Sequence, residues 1–132
     1  MGEELTVYHI ESAIAAEHCL AASFEETNWP RILYFYDLLL DQKRTTVVIL
    51  NRAVVLAQLN KAGEAINEIL RIKDIEKLLQ SQYIYSAVLG DLYFQSSNFN
   101  DAEKYLILAY KLTASQAEKK LISKKLELVY NN

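Results

Sequence analysis

Glycine, proline and cysteine are scarce in this chain: three, one and one among 132 residues. So few turn-formers argue against a sheet protein with many tight turns. A lone Cys19 can form no internal disulfide, which fits a reducing cytoplasm. Excess positive charge is missing too. The net charge is −3, with Lys and Arg spread among Asp and Glu, so no electrostatic footprint for nucleic acid or an anionic membrane exists. No apolar run approaches the ~18 residues of a membrane span. The richest, "ILYFYDLLL", is interrupted by Asp37. The opening "MGEELTVYHIE" is acidic and unlike a signal peptide. Phosphate loops, dinucleotide fingerprints, nucleophile elbows and calcium loops are all lacking.

What the chain does have is helical periodicity, with apolar residues recurring at spacings of three and four almost throughout. The spacing predicts a first helix from about Glu4 to Ser23, its faces carrying Val7, Ile10, Ile14 and Ala21, with Ala13, Ala16 and Leu20 beside them. A second begins after Thr27 or Asn28, with Pro30 in its first turn where proline is tolerated. A third starts at Thr45 or Thr46, and a fourth near Gly63. "KDIEKLLQSQ" reads as a loose connection with room for one helical turn. A fifth spans about Gln82 to Gln95. Asn100 with Glu103, and Ser115 with Glu118, have capping-box spacing and start the last two helices. The final helix carries a stripe of Ala117, Leu121 and Leu128, with Ile122 and Val129 as neighbours.

Gly90 interrupts an otherwise good helix at a cost of about 1 kcal/mol. Leu89, Gly90, Tyr93, Phe99, Ala102, Leu106 and Ala109 fall at tetratricopeptide-repeat spacings, which makes Gly90 a packing notch facing Ala102. The template also fits the preceding hairpin, where Ala53 takes the place of the glycine and Ala65 faces it. A weaker copy uses Ala16, Trp29, Ile32, Tyr36 and Leu39. The expected fold is therefore all-α: a tetratricopeptide-like right-handed superhelix of three helical hairpins plus a C-terminal capping helix, forming a single domain over 1–132.

Five segments, "YHIESAIAAEH", "NWPRILYFYDLLL", "VVILNRAVVLAQ", "YSAVLGDLYF" and "TASQAEKKLISKKL", sharpen this reading. In this order they resemble the tetratricopeptide-like carboxy-terminal domain of extracytoplasmic-function-type sigma factors in bacteria. The resemblance runs from about Tyr8 to Leu128 and includes His18, Asp37, Asn51, Arg52, Asp91 and Glu118. The promoter-reading regions that precede such a domain are not in this sequence, so a fragment of a longer sigma factor is expected, or a stand-alone relative. The resemblance implies a regulatory role in transcription initiation through protein contacts. The partners expected are the factor's promoter-binding regions, RNA polymerase or a dedicated regulator, with no direct nucleic-acid contact. The alternative is an independent tetratricopeptide adaptor holding a peptide in its concave groove. No cofactor, no metal and no enzymatic activity are expected.

Among individual residues, Asn51 and Arg52 stand mid-helix in an apolar run. One reading is an internal network in which Arg52 pairs with Asp37 or Asp91; the other is a polar hook for a partner's carboxylate. A groove would be lined by the first helix of each hairpin, exposing Val47, Val54, Gln58, Tyr83 and Tyr85. Tyr36, Tyr93 and Tyr110 read as core or boundary residues. His18 and Cys19 point about 100° apart on a helix and cannot converge as base and nucleophile; Cys19 reads as a small core residue. Lys119, Lys120, Lys124 and Lys125 form the one basic cluster, read as a solvated outer face.

Overall fold

A computed structural model describes residues 6–20 and 26–132, with 19 and 20 described in the backbone alone. All regular structure among them is helical: α1 (Val7–Leu20), α2 (Trp29–Gln42), α3 (Thr46–Gln58), α4 (Ala62–Leu70), α5 (Ile75–Ser81), α6 (Tyr83–Gln95), α7 (Phe99–Leu112) and α8 (Gln116–Tyr130). The reading of Cys19 as a core residue, and the extension of the first helix to Glu4 and Ser23, lie outside the described residues. The chain forms two compact units, the first ending at Asn60 and the second beginning at Lys61.

In the first unit α2 packs against both α1 and α3. Its core joins Ile10 and Ile14, Ile32 and Leu39, and Val48 and Val55, one pair from each helix. Asn28 caps α2 by accepting from the backbone N–H of Arg31 at 3.1 Å, and Pro30 sits in the first turn, where its missing N–H has no helical partner to lose. Thr45 caps α3 by accepting from Val48 N at 3.3 Å. Ala16 is exposed, so the first hairpin has no small-residue notch there.

The second unit departs from the sequence reading at several points. The segment read as a loose connection contains α5, which packs on α6 and α7. Ser86 Oγ donates to the carbonyl of Leu79 at 3.4 Å, tying the two elements. The signal was present: Ile72, Ile75, Leu78 and Leu79 keep helical spacing, and Ile72 and Leu79 are buried.

The helix before α7 ends at Gln95, as read from the sequence, but α7 starts two residues earlier than the capping-box spacing suggests. Ser97 takes a left-handed φ of 61°, Asn98 N donates to Tyr93 O at 2.9 Å, and Ser97 N donates to Phe94 O at 3.0 Å. This double reverse closure is a Schellman ending. Its last residue, Asn98, then caps α7, accepting from Asp101 N at 3.3 Å. Asn100 lies inside α7 and is exposed. Asn98→Ala is therefore expected to cost about 1 kcal/mol in urea unfolding, while Asn100→Ala stays within a few tenths.

Gly90 is a notch, with a different partner from the one expected. A Cβ added there would lie 2.7 Å from both Cγ and Cδ2 of Leu106, and 3.3 Å from its backbone nitrogen. Ala102, the expected partner, is buried one turn earlier on α7. The branched Leu106 side chain occupies the space that the glycine leaves, so the closest approach falls one turn further along α7. Around it, Tyr93 stacks on Tyr105 with centroids 5.5 Å apart, and Phe94 meets Phe99 edge-on. Ala53 and Ala65 are both buried, in the first and second unit respectively.

On α8 the expected stripe is turned outward. Ile122 and Val129 are buried against Ala102, Leu106 and Ala109 of the core, with Leu126 beside them. Leu121 and Leu128 are about half exposed, at 47% and 54%. Residues 122, 126 and 129 keep the i, i+4, i+7 rhythm that faces the core, which rotates 117, 121 and 128 away from it.

Candidate functional site

An open cleft lies in the first unit, with a volume of about 470 Å³. It is built by α1, α2 and α3. Glu11 and Ile14 come from α1, Tyr36 and Leu39 from α2, and Val47, Val48 and Asn51 from α3, with Lys43 and Thr45 from the α2–α3 turn. Its floor is apolar because Ile14, Leu39 and Val48 are buried core residues. Its rim is polar: the Glu11 carboxylate, the Tyr36 hydroxyl and the Asn51 amide. The Lys43 ammonium also stands at the rim, 3.9 Å from Glu11.

Of the sequence-predicted residues, Asn51 and Arg52 part company here. Asn51 lines the cleft. Arg52, about 100° further round α3, donates from Nε to Asp37 Oδ1 at 2.7 Å. The Arg52 side chain is only 11% exposed, against 52% for Asp37, so this pair is partly withdrawn from water. It ties α3 to α2, and so fixes the rotation of both helices that bring Asn51 and Tyr36 to the cleft. A second tie, Arg31 Nε to Glu17 Oε1 at 2.7 Å, joins α2 to α1. Asp91 takes no part in that site; Lys125 of α8 donates to it at 2.8 Å.

The remaining groove candidates separate. Val47 and Val54 are exposed at 62% and 44%, and Gln58 is exposed. Tyr83 is half-buried against the second unit's core. Tyr85 is buried at 4% and lines no surface, on a helix packed by α4, α5 and α7. In the basic cluster, Lys125 is paired with Asp91 and the Lys119 ammonium lies 4.8 Å from the Tyr110 ring centre. His18 meets Trp29 edge-on at 5.7 Å.

Burial on the cleft wall pushes the Tyr36 hydroxyl above its ordinary value of 10.0, and the nearby charge of Glu11 adds to the rise. A raised folded-state value contributes stability below pH 10, where both states hold the proton. That contribution is lost as pH climbs, because the unfolded chain releases its proton first. Tyr36→Phe is therefore expected to flatten the fall in stability above about pH 10, followed by urea unfolding across the alkaline range.

Among the described residues, no group of three or more His, Cys, Asp or Glu side chains is placed to hold a metal ion. None of their helices is long and apolar enough to cross a membrane. No family model, curated protein or solved structure matches this chain.

Proposed function

We propose that this chain is a regulatory protein-interaction domain of the kind appended to extracytoplasmic-function-type sigma factors. In this reading it is a tetratricopeptide-like right-handed superhelix working in the bacterial cytoplasm. It tunes transcription initiation by contacting the promoter-binding regions, the polymerase or a regulator. One observation carries the reading. The segments "YHIESAIAAEH", "NWPRILYFYDLLL" and "VVILNRAVVLAQ", which hold the resemblance to that family, supply the cleft residues from α1, α2 and α3. The open cleft suits a helical scaffold that offers a concave surface to a protein.

The exposed Val47, Val54 and Gln58 along α3 favour a second reading, an adaptor that captures an extended peptide. The two part in a capture experiment with purified components. If the immobilised chain retains the promoter-binding regions of such a sigma factor, or core polymerase, and ignores unrelated peptides, the first reading stands. Retention of unrelated peptides alone overturns it in favour of the adaptor.

A further inference from the structure

We infer that the cleft of the first unit receives a long cationic side chain, lysine or arginine, from the partner protein: its charged head on Glu11 and its aliphatic stem along Ile14, Leu39 and Val48. This deepens the proposed function and rests on a protein docking at that site.

Among the described residues, Glu11 holds a loose ion pair. Its distance to Lys43 is 3.9 Å, whereas Arg31–Glu17 and Arg52–Asp37 close to 2.7 Å and Lys125–Asp91 to 2.8 Å. Both partners of the loose pair are about half exposed, at 46% and 52%. Such a pair contributes little by itself, and an incoming cation can replace Lys43 at small cost. Two groups that can accept line the same cleft, the Tyr36 hydroxyl and the Asn51 carbonyl.

The helix ends at the cleft offset one another: α2 ends at Gln42, where carbonyls favour a cation, and α3 begins at Thr46, where free N–H groups favour an anion. The sign of the occupant is therefore set by Glu11 against the loosely held Lys43. The apolar floor matches the methylene stem of a basic side chain, which buries its carbons while the head stays at the polar rim. The whole chain carries a net charge of −3, complementary to a basic surface.

The test is a titration of the isotope-labelled full chain with n-hexylammonium, and separately with hexanoate, followed by NMR. Hexylammonium is expected to shift the Asn51 side-chain amide and the methyl groups of Ile14, Leu39 and Val48 saturably, with a Kd on the order of millimolar. Hexanoate is expected to shift them far less. Glu11→Gln, whose fold is checked by its melting curve, weakens hexylammonium about fivefold, and Lys43→Gln strengthens it by removing the internal competitor. Hexanoate matching hexylammonium, no saturable shift with either, or an affinity that Glu11→Gln leaves unchanged would overturn the inference. Capture of sigma-factor regions is a separate readout, so failure of the cationic occupant is distinguishable from failure of the partner reading.

Discussion

Gly90→Val is expected to destabilise the second unit by about 3 kcal/mol or more, and Gly90→Ala by about 1 kcal/mol. Alanine improves helix propensity by about 1 kcal/mol over glycine, so a loss at this position means that overpacking exceeds the gain. The geometry favours the loss. The new Cβ would stand 2.7 Å from Leu106 Cγ and Cδ2, and Leu106 is 1% exposed, with only a small cavity of about 30 Å³ beside it to move into. Its backbone nitrogen, at 3.3 Å, ties the contact to α7 itself. A double-mutant cycle isolates the effect. Leu106→Ala alone costs about 2–5 kcal/mol. Gly90→Ala in that background should be stabilising, because the clash has gone and the propensity gain remains. If Gly90→Ala stabilises the wild-type protein as well, the notch is not a packing constraint.

The second large effect concerns Asp37 and Arg52. Asp37→Ala is expected to cost about 2 kcal/mol in urea unfolding. That lies between the small value of an exposed ion pair and the several kcal/mol of a buried one, as the 52% and 11% exposures of the two side chains require. The loss arises mainly from removing the 2.7 Å contact to a guanidinium that is largely out of water. Arg52→Met, which keeps the apolar stem and removes the charge, should cost clearly less. Combined with Asp37→Ala it should recover part of that variant's loss. Equal costs for the two single variants and additive behaviour in the pair would show that the 2.7 Å contact does not bind α2 to α3 energetically. Because Tyr36 and Asn51 neighbour the pair in sequence, Asp37→Ala is also expected to broaden their NMR signals at the cleft.

Much of this was legible in the sequence, for identifiable reasons. Helical periodicity marks every long element, and the caps at Asn28, Thr45 and Ser115 follow from side chains that can accept from a free N–H. Arg52 announced a partner because a charge in the run "VVILNRAVVLA" must be compensated, and Asp37 was one of the two candidates. Three features were hidden. Helix α5 is short and its polar residues outnumber its apolar ones, so its stripe was masked. The start of α7 at Asn98 depends on a left-handed Ser97, a conformation without a strong sequence mark at a serine. The facing of Gly90 by Leu106 in place of Ala102 depends on where two helices cross, which shifts by a turn without changing the repeat pattern. The cleft brings Glu11 to Lys43 and Asn51, residues far apart along the chain that only tertiary packing unites.

The most direct measurement is a chemical-shift map of the labelled chain titrated with the purified promoter-binding regions of an extracytoplasmic-function-type sigma factor that carries such an extension. Saturable changes concentrated at Tyr36, Val47 and Asn51 are the predicted result. No binding, or binding whose shifts bypass those residues for the outward Leu121 and Leu128 of α8, would contradict the account.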